Sequence, residues 1–432
     1  MMKRDRTPLR IAVIGAGIVG AAIAWELIKD GHDVTLIEPG EPGGPQAASY
    51  GNGAWISPAS IIPMSMPGLW RKLPGYLFDP NGPLVLRWTA LPALAPWLLR
   101  FLAAGWTVAK VEHTARVLAS ILRDGPARHA VLAQEIGKPD YIRQTGLLYA
   151  YPDRNAFDGE ALAWRLRRDN GLHWLELDAG ELRRREPDLS SAYQFGAFVH
   201  EGVYCTDPGA FVGAIVDAAR ARGARLVKAR ATGFVVTDGR LATVVTDQGP
   251  IECDRAVICA GIWSKALAEA AGDRVPLASE RGYHGVVASP AAGPKLPIMP
   301  SDGRMANTPT PAGLRLSGQV ELARVDAEPD WARVEILVTH ALRTYPGLGS
   351  RASLTIDRWM GHRPSTPDGR PVIGLASASA DIVHAFGHGH VGLASGPITG
   401  CIVADLIAGR TAGIDIAPFG ASRFRNCPWR RP

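Results

Sequence analysis

Two short glycine-rich runs hold the residues of this 432-residue chain whose types and spacing could do chemistry. Gly15, Gly17 and Gly20 follow an apolar segment, and Glu38 stands about 20 residues further along the chain. The same G-x-G-x-x-G spacing recurs over residues 387–392. Glycines at this spacing let the backbone approach a phosphate, and the N–H groups of a following helix carry partial positive charge. The first run therefore predicts a site for the pyrophosphate of a dinucleotide.

The elements around the first run are the ones that such a site needs. Residues 10–14 form an apolar, β-branched strand, residues 21–30 have helical composition, and Gly31 is placed to end the helix. Residues 32–38 form a second strand that ends at Glu38, which completes a βαβ unit. The Glu38 carboxylate can accept hydrogen bonds from ribose hydroxyls, which disfavours NADP and leaves FAD and NAD open. No acid-ended strand follows the second run, so it must have a different role.

The remaining pattern predicts an α/β protein with a second, interleaved α+β domain. A helix over residues 209–223 and an apolar strand over residues 255–261 continue a Rossmann-like parallel sheet. Residues 41–204 and 265–360 contain strand-like and proline-rich stretches that suit a mixed or antiparallel sheet. The predicted cofactor domain comprises residues 1–60, 190–265 and 360–425, and the predicted substrate domain comprises residues 61–189 and 266–359.

Composition excludes several classes of protein. The 48 glycines and 34 prolines argue against a helical bundle or coiled coil, while 47% hydrophobic residues argue against disorder. The net charge of +6 is scattered rather than clustered, so we expect no nucleic-acid partner. The five cysteines form no C-x-x-C pair, which indicates reduced thiols and no zinc site. The N-terminal residues show no signal-peptide pattern, and we expect a cytoplasmic protein.

Residues 83–106 are strongly apolar and raise the question of membrane contact. Two arginines and two prolines interrupt the stretch, which argues against a spanning helix. Helices that pack on the body of the protein are the favoured interpretation. The alternative is peripheral contact with the inner face of the cytoplasmic membrane through Trp88, Trp97 and Trp106.

An ordered set of motifs resembles a known family. The first glycine run is followed by residues 49–53 (SYGNG), 280–284 (ERGYH) and 361–369 (GHRPSTPDG), and then by the second glycine run. This set resembles the FAD-dependent D-amino-acid oxidase superfamily, in particular bacterial D-amino-acid dehydrogenases of the small-subunit type and their hydroxyproline-dehydrogenase relatives. The resemblance extends from residue 10 to residue 425 and implies FAD as the cofactor.

The resemblance also implies which residues bind FAD. The first run would hold the pyrophosphate and Glu38 the adenosine ribose, while the second run would lie along the flavin ring. The helix after the second run would then stabilise the anionic reduced flavin. The implied FAD-binding residues are Gly15, Gly17, Ile18, Val19, Gly20, Glu38, Ser49, Tyr50, Asn52, Gly53, Thr232, Ala260, Gly261, Gly361, Gly387, His388, Gly389, His390, Val391 and Gly392.

The substrate-binding residues are likewise implied by the resemblance. Arg363 lies in a G-x-R-P motif whose arginine holds the substrate carboxylate, a task suited to the bidentate guanidinium group. A structural salt bridge is the alternative role for Arg363. Tyr283 and His284 are candidates for orienting the substrate, and core packing is the alternative for both. His390 joins them as a catalytic candidate, and no side chain is nominated as a general base.

Three histidines also suggest a metal site, which we weigh and do not adopt. His384, His388 and His390 have the spacing H-x-x-x-H-x-H, but no carboxylate cluster accompanies them. Related sarcosine oxidases have a lysine where this chain has Val391, and Arg363 lies in the region of their covalent flavin cysteine. The resemblance therefore implies non-covalent FAD.

The expected activity is oxidation of the Cα–N bond of a D-amino acid or a cyclic imino acid of the proline or hydroxyproline type. Hydride passes from Cα to the flavin, and a quinone or another electron-transfer partner receives the electrons. One alternative is an oxidase that reduces O₂, and another is an opine or N-methyl-amino-acid dehydrogenase. A third alternative is a flavin-binding subunit of a larger complex.

Overall fold

The computed structural model describes residues 7–71, 82 and 84–425 of the chain. Residues 1–6 of the predicted cofactor domain, ten residues of the predicted substrate domain and residue 83 of the apolar stretch lie outside this description. The strands are β1 (Arg10–Ile14), β2 (Asp33–Ile37), β3 (Trp55–Ile56), β4 (Leu84–Leu86), β5 (Ile142–Arg143), β6 (Leu147–Tyr151), β7 (Leu175–Asp178), β8 (Phe195–Val199), β9 (Val203–Cys205), β10 (Arg225–Val227), β11 (Ala231–Thr237), β12 (Arg240–Thr246), β13 (Gly249–Glu252), β14 (Arg255–Ile258), β15 (Ala278–Val287), β16 (Ile298–Pro300), β17 (Ala306–Thr310), β18 (Gly313–Leu322), β19 (Ile356–Ser365), β20 (Val372–Leu375) and β21 (Ile382–Phe386). The α-helices described in full are α1 (Ile18–Lys29), α2 (Leu91–Ala104), α3 (Val108–Leu122), α4 (Gly125–Glu135), α5 (Arg154–Asp158), α6 (Ala161–Asp169), α7 (Ala179–Arg185), α8 (Pro208–Ala221), α9 (Ser264–Ala270), α10 (Ala332–Thr344) and α11 (Gly392–Ile407).

A six-stranded sheet forms the predicted Rossmann-like unit. Its strand order is β10-β2-β1-β14-β21-β20, and only β20 runs antiparallel to its neighbour. Ile11 and Val13 face one hydrophobic core, which also contains the buried sides of α1, α8 and α11. Ala12 and Ile14 face a second core on the opposite side, together with residues of β12 and α9. Burial on both faces explains why β1 is a continuous apolar run.

A nine-stranded sheet forms the second unit. Its order is β19-β15-β18-β17-β16-β6-β8-β7, with β4 paired to β18. Most pairs are antiparallel, while β16–β6 and β18–β4 are parallel. This mixed sheet and the Rossmann-like sheet confirm the predicted fold class. A register shift between Gly282 and Tyr283 places Gln319 in a bulge, with a φ of 55°.

The strands of the two sheets can be located relative to the predicted division of the chain. All six strands of the Rossmann-like sheet lie within residues 1–60, 190–265 or 360–425. By contrast, β8 pairs in the nine-stranded sheet although it follows residue 190, and β19 crosses residue 360. Helices α3 and α4 pack on the core of the cofactor unit although they belong to residues 61–189. The interleaving is therefore finer than the sequence predicts.

The apolar stretch that ends at Trp106 is partly buried in the protein and partly exposed on its surface. Trp97 is only 5% exposed, stacks on Phe101 and donates a hydrogen bond from Nε1 to the Ser365 carbonyl at 3.1 Å. This corrects the grouping of Trp97 with surface tryptophans, because the α2 periodicity turns this side chain inward. Trp88 and Trp106 are 55% and 60% exposed.

Length and composition alone would let the helical segment Gly389–Ile407 span a membrane. Its most apolar part is 67% buried inside the protein, as is typical of a helix in the core of a fold. Two further segments, Trp88–Ala104 and Val108–Glu135, pass the same test only as a pair, and they are bent by 95°. The hydropathy of Gly389–Ile407 thus reflects packing within the fold.

Candidate functional site

A deep cleft opens at the carboxyl ends of the central parallel strands. It encloses about 1240 Å³ and runs between the two glycine loops, with Glu38 at one end and His388 near the other. Ile14 and Ile37, the last residues of β1 and β2, form part of its floor. Ligands of open α/β sheets bind at this edge, where helix N-termini and strand ends meet.

The first glycine loop connects β1 to α1 at the mouth of the cleft. Gly15 has a φ of 107°, which only glycine adopts readily, and a Cβ there would lie 2.6 Å from the Cys259 carbonyl oxygen. A Cβ on Gly20 would collide with the Gly15 carbonyl oxygen, so Gly20 allows α1 to pack on the strand. Gly17 lines the cleft, and the Ile18 N–H donates to Ser49 Oγ at 3.0 Å. The N-terminus of α1 therefore presents its positive end to the cleft.

Glu38 lies at the end of the cleft predicted to hold a ribose. It is 8% exposed, and its carboxylate accepts hydrogen bonds from the Ala16 N–H at 2.9 Å and the Gly40 N–H at 3.1 Å. Residues 229–231 line the same end. Thr232 does not line it, because its side chain points away and its hydroxyl donates to the Val245 carbonyl at 3.3 Å.

The second glycine loop forms the other end of the cleft. Gly387 and Gly389 have φ values of 79° and 52°, and both line the cleft with Gly392, where α11 begins. The His388 ring is buried and shares a hydrogen bond between Nε2 and Thr399 Oγ1 at 3.1 Å. Burial lowers the pKa of His388 to about 3, so the ring is neutral at physiological pH. The positive potential here thus comes from the N-terminus of α11 rather than from a histidine charge.

A loop between β2 and β3 lies across the middle of the site. The buried Arg315 guanidinium donates from one nitrogen to the carbonyl oxygens of Tyr50 and Asn52, both at 2.9 Å. The Gly53 carbonyl accepts a hydrogen bond from Thr308 Oγ1 at 2.8 Å. Ser49 and Asn52 line the cleft, whereas Tyr50 and Gly53 support the loop from behind. The sequence prediction omitted Arg315, because a buried arginine that binds only backbone carries no local motif.

A smaller inner cavity adjoins the cleft at Gly387 and Gly389, and its space is about 470 Å³ when the open solvent at its mouth is included. His390 from the glycine loop lines it, as do Glu280 from β15 and residues 365–369 after β19. Phe101 and Ala104 of α2 form its cover. The protein around His390 lowers the pKa of its ring to about 4, and the neighbouring Arg363 adds to this shift, although the side chain is exposed toward the cavity. His390 is therefore a neutral polar group facing this cavity.

Arg363 stands on β19 directly opposite Glu280 on β15, so both side chains lie on the same face of the sheet. Its guanidinium packs against Gly282 and donates to the Gln319 carbonyl at 3.2 Å. Burial lowers the pKa of Arg363, although Glu280 opposes the shift. The guanidinium remains charged at neutral pH, because an arginine begins from a very high pKa.

Tyr283 and His284 have different surroundings. The Tyr283 hydroxyl donates to the Glu321 carboxylate at 2.5 Å and accepts from the Asp330 N–H at 3.0 Å, within the core of the second unit. The structure thus places Tyr283 in a buried network away from both cavities. His284 stacks on Trp359 at 5.1 Å and contacts the Gly51 carbonyl at 3.3 Å, behind the cofactor loop. Burial lowers the pKa of His284 to about 3, and Arg315 adds to the shift.

The cleft brings together most of the residues predicted to bind FAD. Those that line it are Gly15, Gly17, Ile18, Val19, Glu38, Ser49, Asn52, Ala260, Gly261, Gly387, His388, Gly389 and Gly392. Those outside its lining are Gly20, Tyr50, Gly53, Thr232, Gly361, His390 and Val391. Gly361 lies opposite Gly282 on the neighbouring strand, and Val391 is buried in the core behind the loop.

Several lining residues escaped prediction. Pro39 and Gln46 follow β2, while Trp263 lines the cleft just before α9 and His362 lines it from β19. Residues 229–231 replace the predicted Thr232 because the chain enters β11 before that residue. The signal that could have found them is position, since residues just after parallel strands line such clefts.

The cleft fits the cofactor that the glycine motif predicts. Two helix N-termini point to it, Gly17 leaves its wall open, and a carboxylate lies at the ribose end. Among the described residues that line the cleft, Arg230 is the one lysine or arginine.

Comparison with known proteins identifies the family. Residues 10–406 match the DAO family model, described as FAD dependent oxidoreductase. A protein of Bradyrhizobium diazoefficiens named D-amino-acid oxidase is 50% identical over 415 residues, which cover 96% of this chain and 98% of the relative. A protein of Paramagnetospirillum magneticum named D-amino acid dehydrogenase is 30% identical, with 98% and 100% covered.

Solved structures show the same fold at low sequence identity. Glycine oxidase from Geobacillus kaustophilus superposes with a TM-score of 0.73 at 22% identity, over 96% of this chain and 99% of that one. L-proline dehydrogenase from P. horikoshii gives 0.72 at 21%, over 97% and 98%. With the family model matching nearly the whole chain, the predicted cofactor is confirmed as FAD, held non-covalently. The chain belongs to the DAO family of FAD-dependent oxidoreductases, and it is an enzyme that acts on amino acids.

Proposed function

We propose that this enzyme oxidises the Cα–N bond of a D-amino acid or of a cyclic imino acid of the D-proline or hydroxyproline type. A quinone or another electron carrier would receive the electrons. The names of the relatives at 50% and 30% identity both specify D-amino acids, which supports this substrate class. The solved structures under 25% identity support the fold alone and do not distinguish one stereoisomer from the other.

The position of Arg363 carries the proposal. Its side chain is half-buried, and its guanidinium donates a hydrogen bond to the Gln319 carbonyl. Arg363 does not itself line the inner cavity, but it stands opposite Glu280, which does, in the β15–β19 register. A planar guanidinium can bind a carboxylate through two parallel hydrogen bonds, which fixes the orientation of the substrate. An amino acid held in this way would present its Cα to the second glycine loop.

Bound FAD supplies the chemistry of the reaction, since its flavin ring accepts the hydride that leaves Cα. The chain contributes binding, orientation and enclosure. The N-terminus of α1 would hold the pyrophosphate, and the N-terminus of α11 would stabilise negative charge at the end of the flavin ring. Trp97 ties α2 to the Ser365 carbonyl, so that Phe101 and Ala104 keep bulk water out of the inner cavity.

A screen of amino acids tests the substrate class. The FAD-loaded enzyme is mixed anaerobically with matched D- and L-amino acids, D-proline and hydroxyproline isomers, and the visible absorbance of FAD is followed. We expect bleaching by D-isomers and weak or no bleaching by their L-counterparts. Equal bleaching by both isomers, or bleaching by L-isomers alone, would refute the proposal. FAD absorbance with no bleaching by any amino or imino acid would favour a purely structural flavin subunit.

An oxidase that reduces O₂ is the second candidate, and the name of the relative at 50% identity favours it. The enzyme is reduced with one equivalent of substrate and then mixed in a stopped-flow instrument with air-saturated buffer or with a soluble quinone. A dehydrogenase reoxidises rapidly with the quinone and slowly with O₂. Rapid reoxidation in air with formation of hydrogen peroxide would establish the oxidase reaction instead.

An exposed apolar surface supports contact with a membrane in which a quinone acceptor would reside. Trp70, Trp88, Leu99 and Trp106 are between 48% and 69% exposed, and Trp70 stacks on Trp106 at 6.4 Å. Arg71 lies over the Trp70 ring at 5.1 Å. Exposed tryptophans with neighbouring cations suit the interface of an anionic leaflet, such as the inner face of the cytoplasmic membrane. Co-sedimentation with vesicles containing phosphatidylglycerol tests this, and failure to bind at low salt would refute it.

A further inference from the structure

Glu280 is a buried carboxylate that the proposed reaction does not yet use. It lies on β15, is 4% exposed, and lines the inner cavity with Gly387, Gly389 and His390. A carboxylate in such a position is costly to bury unless it has a partner or takes up a proton. Its nearest charged neighbour across the strands is Arg363, which stands opposite it in the β15–β19 register.

Glu280 is close to Arg363 but not locked to it. Among the residues that the structure describes, no ion pair within 4.0 Å joins the two side chains. The guanidinium instead donates to the Gln319 carbonyl and packs against Gly282. Arg363 can therefore bind a substrate carboxylate without first breaking a salt bridge to Glu280.

The other ionisable groups around Glu280 are already compensated or neutral. Asp368, which also lines the cavity, pairs with Arg370 at 2.7 Å and Arg423 at 2.9 Å. His390 is neutral, because the surrounding protein and the charge of Arg363 lower its pKa to about 4, although the side chain is exposed toward the cavity. On the opposite face of β15, Glu321 is held by Arg87 and Arg281, with hydrogen bonding from Tyr283. Ser365 is the neutral group beside Glu280 on β19.

We propose that Glu280 accepts a proton from the substrate ammonium group before oxidation. The inference rests on the proposed function, in which Arg363 binds the substrate carboxylate. The N–H bond of the ammonium breaks, the proton forms an O–H bond on a Glu280 oxygen, and the electron pair stays on nitrogen. The resulting neutral amine can then lose hydride from Cα. When the product leaves, Glu280 returns its proton to water.

Charge balance explains why the substrate itself prepares this transfer. In the free enzyme, burial raises the pKa of Glu280, while Ser365 and Arg363 oppose the shift. A carboxylate bound to Arg363 neutralises the guanidinium and places a second negative charge near Glu280. Both effects disfavour the ionised form of Glu280, so binding of the carboxylate makes Glu280 a stronger base.

Proton uptake on binding of benzoate tests the inference without turnover. Benzoate has the carboxylate but no amine, so any proton that Glu280 takes up must come from solvent. The FAD-loaded enzyme is titrated with benzoate in buffers of different ionisation enthalpy, and uptake is read from the dependence of the heat on the buffer. We expect uptake of up to one proton per benzoate and a Kd that rises up to tenfold per pH unit. Glu280→Gln should bind benzoate with no uptake and a Kd independent of pH in that range.

Two further variants make the titration specific. Glu280→Asp keeps a carboxylate and should retain proton uptake, even if Glu280→Gln folds poorly. Glu186 is also fully buried, and burial raises its pKa to about 7, but it binds backbone N–H groups of residues 295 and 296 away from the cavities. Glu186→Gln should therefore leave the linked proton uptake unchanged. Uptake that persists in Glu280→Gln, or no uptake by the unchanged enzyme, would overturn the inference.

Single-turnover reduction by D-proline supplies a second readout. Without the Glu280 carboxylate, only substrate that is already neutral in solution can react. The rate of flavin reduction by Glu280→Gln should then rise tenfold per pH unit below the pKa of the amine, whereas the unchanged enzyme shows a flatter profile. Matching profiles would overturn the inference. If benzoate does not bind the unchanged enzyme at all, the proposed role of Arg363 fails, which is a separate result.

Discussion

At the scale of single residues, the site depends on a few charged groups that the fold holds in fixed surroundings. Arg363 is positioned by a backbone carbonyl at the Gln319 bulge rather than by an acid. Arg315 fixes the loop that contains Ser49 and Asn52 by donating to two carbonyl oxygens. In both cases the guanidinium group is positioned by backbone carbonyls, and none of the contacts described above neutralises its charge with an acidic side chain. An anionic ligand can therefore still use that charge.

Replacing Arg363 tests the substrate carboxylate site. We expect Arg363→Leu to raise the KM for a D-amino acid by two or more orders of magnitude, because a buried charge-assisted contact is lost. FAD content, read from the ratio of visible to ultraviolet absorbance, should stay the same, because Arg363 does not line the large cleft. Arg358→Leu on the exposed part of β19 is the matched control and should leave KM unchanged. An unchanged KM in Arg363→Leu would contradict the assignment.

The sequence predicted the positions of individual residues well where the motif can adopt only one local geometry. Gly15, Gly17 and Glu38 lie where the βαβ motif puts them, since their spacing is fixed by the strand and the helix. It failed to find Glu280 and Arg315, whose roles depend on contacts between segments far apart in the chain. Tyr283 was named for its neighbours in sequence, but the register of β15 turns it into the core.

At the scale of elements, the packing of α1 on β1 decides whether the cleft can form. Gly20 stands where α1 crosses the end of β1, with the Gly15 carbonyl against its Cα. Gly396 and Gly400 of α11 lie against Ile18 and Ala22 of α1 in the same close manner. These small residues bring the two helices together, so that both N-termini reach the same cleft.

A methyl group at Gly20 should therefore disturb both stability and cofactor binding. We expect Gly20→Ala to lower the free energy of unfolding by about 1–3 kcal/mol through overpacking, and to lower the FAD content of the purified protein. Gly213→Ala in α8 is the control, because a Cβ there meets only Pro42 at an ordinary 3.6 Å. That change should be neutral or stabilise the protein by about 0.5–1 kcal/mol. Urea denaturation and FAD absorbance measure both, and full FAD occupancy in Gly20→Ala would contradict the prediction.

Two tryptophans in and just after helix α2 differ in burial. Trp97 is buried and hydrogen-bonded, so Trp97→Ala should lower the free energy of unfolding by about 3–5 kcal/mol. Trp106 is 60% exposed, so Trp106→Ala should lower it by less than about 1 kcal/mol. Urea denaturation monitored by circular dichroism compares the two. Equal losses would mean that the two side chains are equally buried.

At the scale of the whole molecule, buried neutral histidines make stability depend on pH. His129 is fully buried at the start of α4, and its Nδ1 is 2.8 Å from the Gly125 carbonyl. Burial lowers its pKa to about 4, below the roughly 6.5 of an unfolded chain. Between these values the unfolded chain binds more protons than the folded one. Stability is therefore lost as the pH falls from 6.5 toward 4.

The predicted loss can be measured with one variant. Between pH 7 and pH 5 the free energy of unfolding should fall, with His129 contributing about 2 kcal/mol to the fall. His129→Gln should show a correspondingly smaller fall over this interval. His173→Gln, which changes an exposed histidine, should behave like the unchanged protein. If the free energy of unfolding fell equally in all three proteins, His129 would not be a cause of the pH dependence.

The sequence predicted the architecture better than its boundaries. The strand over residues 10–14 and the apolar strand beginning at residue 255 were placed correctly, because burial on both faces gives a continuous apolar run. The stretch after residue 224 contains two strands, β10 and β11, which belong to different sheets. Propensity alone cannot show where a chain leaves one sheet for another, and for the same reason β8 fell on the other side of the predicted boundary.

The strand order of the Rossmann-like sheet also has a consequence for synthesis of the protein. β14 must pair with β21, and the flank of α1 must pack on α11, yet both partners lie far downstream in the chain and are translated much later. During translation, the apolar sides of β14 and α1 remain uncovered until residue 407 has left the ribosome. The loop at residues 387–392 is also translated late. Only after that can both glycine loops contact FAD. The nascent chain thus depends on protection from aggregation until these elements have emerged.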